Sequence, residues 1–244
     1  MNAGRYHPDP IDVARQDVPR WKRGLDLCVA IPFCIFMPAV FVVMWFVTRL
    51  TSPGPVIFRQ ERIGLRGRRF SCLKFRTMHV GCNSDIHARH VEQLFTADVP
   101  MVKMDSCGDE RLIVFGGFLR SSGLDELPQL INVLRGEMSI VGPRPCMPYE
   151  LENYPDAFRE RFNTLPGLTG LWQVSGKNKT TFREMLQLDI AYARKKTLVT
   201  DLWIILRTPW VLLTQVIETR PVSTSKPLVS PPSRGTAAVP PARL

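Results

Sequence analysis

Residues 27–47, LCVAIPFCIFMPAVFVVMWFV, decide how this chain is organised, because none of them carries a charge. At 1.5 Å of rise per residue, a helix over this run is roughly 30 Å long, about the thickness of the hydrocarbon core of a bilayer. The run therefore predicts a membrane helix. Pro32 and Pro38 lie inside it, and an interior proline removes a backbone hydrogen bond and bends a helix.

Basic residues flank the apolar run on both sides. Those before it are Arg15, Arg20, Lys22 and Arg23, and those after it are Arg49, Arg59, Arg62, Arg66, Arg68 and Arg69. Positive flanks favour the cytoplasmic side of a membrane. A spanning helix would place one cluster outside, whereas a re-entrant helix bent near Pro38 keeps both inside. The residues alone leave both topologies open.

The whole chain has 244 residues, a net charge of +10 and a hydrophobic fraction of 45%. This fraction is typical of a globular protein and excludes a chain that is disordered throughout. The charge indicates polyanionic partners, such as anionic lipid, phosphorylated substrates or nucleic acid. We predict a flexible arm at 1–20, the membrane helix at 21–50, a cytoplasmic domain at 51–220 and a disordered proline-rich tail at 221–244.

Within the cytoplasmic domain, strand-forming residues around a glycine-containing turn predict a β-hairpin from 56–60 and 69–76. Apolar periodicity and capping signals predict helices at 86–95, 124–134, 149–163 and 181–196. The apolar run 198–217 contains Asp201 and Arg207. These charges disfavour a spanning helix and favour an amphipathic helix lying in the membrane interface, with an ordinary core helix as the alternative.

The stretch Arg120-Ser-Ser-Gly-Leu-Asp125-Glu126-Leu-Pro128 places two carboxylates at the start of a helix, because Pro128 is tolerated only in a first turn. The helix dipole favours ionised carboxylates there. An ionised Asp125 suits a nucleophile or a metal ligand. Simple compensation of the helix dipole is the alternative reading.

Two further motifs suit phosphate binding. In Val141-Gly-Pro-Arg144-Pro, two prolines fix the backbone around one guanidinium, whose geometry matches phosphate. The stretch Pro166-Gly-Leu-Thr-Gly170-Leu-Trp-Gln-Val-Ser-Gly-Lys177 combines glycines with a terminal cation, so its backbone is able to approach a ligand. A rigid surface loop explains the first motif equally well, and a plain connecting loop is the more common explanation of the second.

Taken in order, these pieces resemble the bacterial sugar transferases, the monotopic polyprenyl-phosphate phosphoglycosyl transferases of the type that initiates exopolysaccharide synthesis. The resemblance covers roughly residues 22–214. It rests on Lys22-Arg23-x2-Asp26, Ser52-Pro-Gly-Pro55 with Gln60-x-Arg62-x-Gly64, Lys74-Phe-Arg76-Thr-Met78, Leu124-Asp-Glu-Leu-Pro-Gln-Leu130 with Asn132-Val-Leu134, Val141-Gly-Pro-Arg-Pro145, Pro166-Gly-Leu-Thr-Gly170 and Asp189. So many motifs in one order make a chance match improbable.

The resemblance implies a reaction. A sugar-1-phosphate moves from a UDP-sugar to undecaprenyl phosphate, UMP is released, and Asp125 holds the phospho-sugar covalently. It also implies that Mg²⁺ neutralises the diphosphate, with Asp125 and Glu126 as its ligands. By the same matching, the expected phosphate and nucleotide contacts are Lys74, Arg76, Arg120, Arg144 and Lys177.

The implied fold is mainly α with a small β-hairpin, an N-terminal re-entrant membrane helix and amphipathic helices lying in the interface. The implied location is the cytoplasmic face of the bacterial inner membrane. Membrane lipids and downstream glycosyltransferases are the further expected partners, and the surroundings of Lys177 favour glucose or galactose as the sugar. No nucleic-acid partner is expected, because the cations lack interleaved aromatic residues for stacking. A catalytically silent membrane scaffold for glycan assembly is the alternative function.

Three departures from the family pattern bear on these expectations. Met37-Pro38 stands at the expected bend, where relatives often have Ser-Pro. Ser122-Gly123 precedes the carboxylate pair, where a threonine or serine is more usual at the second place, and the glycine is expected to loosen that turn. We expect the compact form of the family, without the large N-terminal membrane bundle of some relatives.

Overall fold

A computed structural model describes residues 18–80, 111–152, 154–176 and 180–218. The helix predicted at 86–95, the tail at 221–244, Lys177 and most of the arm at 1–20 lie outside these ranges. The four predicted region boundaries therefore stay a prediction.

Helix α1, Arg20–Thr51, contains the whole apolar run and continues through both Pro32 and Pro38. It is the helix among the described residues that is long and apolar enough to cross a membrane. Large apolar side chains along it are exposed, among them Phe33, Ile35, Phe36, Val43 and Phe46. An exposed apolar face of this size favours contact with lipid.

The predicted hairpin is confirmed. Strands β1, Ile57–Ile63, and β2, Arg69–Phe75, pair antiparallel, with Ile57 opposite Phe75 and Ile63 opposite Arg69. A single 3₁₀ turn, Leu65–Gly67, joins them.

Two helices flank the carboxylate pair. Helix α2, Gly116–Ser122, which the sequence did not predict, is followed by a 3₁₀ turn at Leu124–Glu126 and by α3, Gln129–Arg135. The helix predicted at 124–134 is thus confirmed in position, with a tighter first turn. Gly136 ends α3 at φ 78°, where a glycine avoids the steric cost of a left-handed conformation.

A second small sheet was not predicted. Strands β3, Ser139–Val141, and β4, Gly167–Thr169, pair in parallel and bring the Val141-Gly-Pro-Arg-Pro145 motif beside the Pro166-Gly-Leu-Thr-Gly170 motif. A Cβ atom on Gly142 would overlap the backbone of Leu165 and Gly167. The glycines of both motifs therefore serve a close approach of two backbones.

The prediction of a single helix at 149–163 is wrong. The segment divides into α4, Pro148–Glu152, and a 3₁₀ helix, Asp156–Asn163. Pro155 stands before the second piece, and a proline disfavours helical backbone in the residue that precedes it.

The C-terminal helices follow the predicted bounds closely. After a short α5, Leu171–Val174, helix α6 spans Phe182–Lys195 and begins with a complete capping box between Thr181 and Glu184. Helix α7, Leu198–Glu218, is amphipathic: Asp201 and Ile204 are fully buried, whereas Leu206 and Trp210 are exposed.

The two larger of the three buried apolar clusters among the described residues hold the body together. One joins α1, β2, α3, β3 and α7 through Ala30, Cys72, Leu130, Val133, Met138, Ile140, Val141 and Ile204. The other joins the end of β1 to α4, α5 and α6. The first cluster contains Leu130 and Val133 of α3, so packing fixes the position of this helix.

Candidate active site

The carboxylate pair lies in a turn whose backbone is closely defined. Gly123 has a φ of 73°, and its carbonyl accepts a hydrogen bond of 3.0 Å from the Glu126 amide. Any residue with a Cβ atom would be strained at this φ. The glycine that departs from the family pattern therefore fits the turn rather than loosening it. Asp125 is 6% exposed, so its carboxylate is largely withdrawn from bulk water.

Lys74 reaches the pair from strand β2. Its ammonium group lies 3.0 Å from Oε1 of Glu126, and both side chains are partly exposed. Cys72, two residues earlier, is buried, and this burial raises the pKa of its thiol above the ordinary value. The charge of Glu126 also raises this pKa, whereas the charges of Lys74, Arg62 and Arg144 lower it. All four charges therefore lie around this one strand, with cations outnumbering carboxylates.

Arg144 is held by a fully buried carboxylate. Its guanidinium lies 3.2 Å and 3.3 Å from the two carboxylate oxygens of Glu150. Burial alone would raise the pKa of Glu150, but the guanidinium groups of Arg144, Arg62 and Arg161 outweigh it and hold that pKa below its ordinary value. Glu150 is therefore ionised at neutral pH and fixes the direction of Arg144.

Arg161 braces the same loop from behind. It is buried and donates to the Arg144 carbonyl at 2.7 Å, to the Tyr154 hydroxyl at 2.6 Å and to Asp189 at 2.5 Å. Asp189, which completes the family motifs, thus acts here as the counter-ion of Arg161. A buried pair with further hydrogen bonds on both partners holds one geometry.

The remaining predicted site residues have different surroundings. Arg76 is buried and donates to the Ser52 hydroxyl, the Ser52 carbonyl and the Pro53 carbonyl, each at 2.9 Å. It therefore fastens the end of α1 with both terminal nitrogens of its guanidinium. Arg120 lies in the last turn of α2, immediately before the Gly123 turn. Lys177, the predicted nucleotide contact, lies outside the described residues.

The donor set of the pair suits Mg²⁺ in one particular way. Among the described residues, no group of three histidine, cysteine or carboxylate side chains is placed to hold a metal. Mg²⁺ is commonly bound by one or two carboxylates, with substrate phosphates and water completing its shell. Asp125 and Glu126 would provide those carboxylates, and a phosphorylated substrate would complete the shell of the metal.

Sequence reasoning missed the residues that bind α1 to this site. Lys22 is fully buried and donates to the Val141 carbonyl at 2.8 Å, the Tyr192 hydroxyl at 2.8 Å and Asp201 at 2.7 Å. Arg23 donates to the Val133 and Leu134 carbonyls, the last turn of α3. The Lys22-Arg23-x2-Asp26 motif was visible in the sequence, but the pattern alone did not show which residues these side chains contact.

Asn132 was missed in the same way. It is fully buried in α3, and its amide bonds the backbone of β2 at Ser71 and Leu73. Its position inside the Asn132-Val-Leu134 motif was visible, but the strand that it contacts lies about sixty residues earlier in the chain.

Comparison with known proteins identifies the family of this chain. Residues 18–215 match the family model for the bacterial sugar transferases. The chain is 38% identical over 192 residues to "Exopolysaccharide production protein ExoY" of Sinorhizobium fredii, a match that covers 77% of this chain and 83% of that protein.

Two other relatives carry names that state an activity. "UDP-galactose-lipid carrier transferase" of Erwinia amylovora is 39% identical over 197 residues, 79% of this chain but only 40% of that protein. "UDP-glucose:undecaprenyl-phosphate glucose-1-phosphate transferase" of Caulobacter vibrioides is 39% identical over 201 residues, 79% of this chain and 70% of that protein. Because residues 18–215 of this chain match the family model, the chain belongs to the bacterial sugar transferase family.

Proposed function

We propose that this protein transfers a sugar-1-phosphate from a UDP-sugar to undecaprenyl phosphate and releases UMP. The observation that carries the proposal is the Asp125–Glu126 pair, held in a turn beside Lys74 on a body that is fastened to an apolar helix. Relatives whose names state this kind of transfer support the substrate class. The same names support galactose or glucose as the sugar.

The reaction has two displacements at one phosphorus atom. A carboxylate oxygen of Asp125 attacks the phosphorus that bears the sugar, and the bond from this phosphorus to the bridging oxygen breaks, so that UMP leaves. A phosphate oxygen of undecaprenyl phosphate then attacks the same phosphorus, and the bond to Asp125 breaks. The carboxylate is regenerated, and two easier steps replace one difficult one.

The cations around the pair serve the first displacement. A nucleophilic carboxylate and a diphosphate repel each other, so charge that develops during transfer must be neutralised by groups already in position. The contact of Lys74 with Glu126 supports this role for Lys74. Mg²⁺, held by Asp125 and Glu126, would neutralise the diphosphate further.

Helix α1 is re-entrant in our proposal. At its start, Lys22 contacts Val141 and Asp201 of the body, and at its end Ser52 contacts Arg76 of the same body. A helix of 32 residues that crossed a bilayer would place its two ends on opposite sides of the membrane. One water-facing body that binds both ends supports a helix that enters and leaves on one side.

Exposed apolar side chains next to the pair support a membrane-facing site. Phe115 and Phe118 are 65% and 54% exposed, and Leu124 is exposed in the turn that holds the carboxylate pair. Leu206 and Trp210 are exposed on α7. Helices α2 and α7 pack together. Their common apolar surface would rest on membrane lipid and hold Asp125 at the depth of a lipid phosphate.

This placement suits the cytoplasmic face of the inner membrane, with the first membrane step of exopolysaccharide synthesis as the reaction. The product, a sugar joined to undecaprenyl through a diphosphate, is then a substrate for downstream glycosyltransferases.

The purified protein in detergent, incubated with Mg²⁺, undecaprenyl phosphate and a panel of UDP-sugars, tests the proposal by UMP release. We expect UDP-glucose or UDP-galactose to be used, and Asp125→Asn to abolish transfer. A covalent intermediate further predicts that labelled UMP exchanges into the UDP-sugar without acceptor.

Each contrary result removes a different part of the proposal. Transfer that survives Asp125→Asn overturns the nucleophile. Transfer without UMP exchange overturns the covalent intermediate only. A wild-type protein that releases UMP from no UDP-sugar favours the scaffold instead.

A further inference from the structure

Asn132 is a buried side-chain amide of α3 that reaches the edge of strand β2. Its Oδ1 accepts from the Leu73 amide at 3.1 Å, and its Nδ2 donates to the Ser71 carbonyl at 2.8 Å. In an antiparallel strand, the N–H and C=O of alternate residues face away from the partner strand. Ser71 and Leu73 are two such residues, so the amide occupies the place of a neighbouring strand.

The amide is itself fixed. Its Nδ2 also donates to the Glu137 carboxylate at 2.6 Å, and the Glu137 amide donates to the Asn132 carbonyl at 3.0 Å. With no exposed surface, Asn132 has both donors and its acceptor satisfied within the protein. A fully satisfied buried polar group holds one arrangement, and any shift of the strand would break two of its bonds together.

The residue that follows Leu73 is Lys74, whose ammonium group contacts Glu126 at 3.0 Å. Glu126 and Asn132 belong to the same turn-and-helix segment, six positions apart. This segment therefore holds β2 at two adjacent residues, at Leu73 by backbone and at Lys74 by side chain. A strand advances by roughly 3.3 Å per residue, more than the length of a hydrogen bond. A slip of one residue along the strand would consequently remove Lys74 from the pair.

We propose that Asn132 is a positioning residue, whose amide fixes the register of β2 against α3 and thereby holds Lys74 at the Asp125–Glu126 pair for the incoming diphosphate. The inference rests on the proposed transferase function. It assigns Asn132 no contact with substrate: its effect on the reaction passes through Lys74.

A double-mutant cycle tests this, with Asn132→Asp, Lys74→Met and the combined variant compared for UMP release. Asn132→Asp keeps the acceptor for the Leu73 amide but loses the donor to Ser71 and sets two carboxylates together at Glu137. A displaced catalytic group costs on the order of tenfold or more in rate. We expect Asn132→Asp to lower kcat by about tenfold in the wild-type background and by less than about twofold in the Lys74→Met background.

Two companions separate positioning from loss of structure. Met185→Ala removes a fully buried side chain from the other cluster and should lower Tm while leaving kcat of the folded protein unchanged. Should Asn132→Asp fold poorly, Asn132→Asp with Glu137→Gln restores a donor between these two side chains, and the same cycle is run from that variant.

The outcomes are distinct. Rate losses that multiply in the combined variant overturn the positioning role. A loss in Met185→Ala equal to that in Asn132→Asp at equal Tm also overturns it. Absence of UMP release from the wild-type protein is a failure of the proposed function rather than of the register argument.

Discussion

Gly142 lies where the loop that leaves β3 passes the start of β4. Its amide donates to the Thr169 carbonyl at 2.9 Å, and the Gly167 amide donates to the Pro143 carbonyl at 2.8 Å. A Cβ atom on Gly142 would meet backbone atoms, which have no flexible side chain that can move aside. Since Arg144 follows two residues later, this contact also sets where the guanidinium begins.

Gly142→Ala should therefore lower stability by about 3 kcal/mol, the range for overpacking where the surroundings cannot yield. Thermal unfolding in detergent measures the effect. Gly24→Ala is the matched control, because a Cβ atom there meets nothing within 4 Å. In helix α1 this control should be neutral or stabilising by about 0.5–1 kcal/mol. Equal effects at both glycines would refute the packing argument.

The charge on Glu150 predicts a dependence of stability on pH. Its folded pKa lies below the ordinary value of 4.5, so the unfolded chain binds more protons near that pH. The stabilisation is fully present above about pH 4.5 and is lost as the pH falls through the folded pKa. Glu150→Gln should cost about 3 kcal/mol at pH 7, because it leaves Arg144 without its buried counter-ion.

Thermal unfolding of the wild-type protein and of Glu150→Gln between pH 3 and pH 7 measures this. The difference in Tm between the wild-type protein and Glu150→Gln should narrow below about pH 4.5. This difference is the gap that reports the charge of Glu150. Asp156→Asn is the control, because its ion pair with Arg159 is exposed and should contribute under about 0.5 kcal/mol. A gap that stays constant down to pH 3 would contradict the assigned charge.

At the scale of elements, α1 is long and apolar enough to enter a membrane, and its first turns pack into the body that carries the carboxylate pair. Lys22 ties it to β3 and α7, Arg23 caps α3, and Asp26 accepts from the Ser139 hydroxyl and the Ile140 amide, both at 2.8 Å. The same few residues thus join the anchor to the helix that carries the carboxylate pair and to the strand that leads to Arg144.

Lys22→Met keeps most of the side-chain volume but leaves Asp201 buried without its cation. We expect a loss of roughly 3–5 kcal/mol in the free energy of unfolding, the usual result of removing one partner of a buried pair. Arg20→Met, two residues earlier and exposed, should change stability by less than about 0.5 kcal/mol. Unfolding of both variants in the same detergent decides the matter, and similar midpoints would show that the buried pair is unimportant.

At the scale of the whole molecule, α1, α2 and α7 all expose apolar side chains, and in our proposal these surfaces face the membrane together. In a re-entrant arrangement both termini lie in the cytoplasm. Green fluorescent protein fused at residue 1 or at residue 244 should be fluorescent, and alkaline phosphatase fused at either position should be inactive. A phosphatase that is active at one terminus only would establish a spanning helix and leave the chemistry of Asp125 untouched.

Much of the element content was predictable because it follows from local pattern. The hairpin, the helix after Asp125, the Thr181 capping box and the amphipathic α7 are all written in spacing and capping residues. Helix α2 was missed because its seven residues include two glycines and two serines, which are weak helix formers. The helix predicted at 149–163 failed at Pro155, where a local breaker outweighed the apolar pattern.

The sequence by itself determined the family, the charge-free membrane run and the carboxylate pair before Pro128, because these depend on residues that are neighbours in the chain. The tertiary structure decided which cations are available. Lys74 meets Glu126, whereas Arg76 is occupied at the end of α1 and Arg144 is braced by Glu150. Those contacts join residues far apart in sequence, and packing and burial, rather than any local pattern, select among equivalent charges.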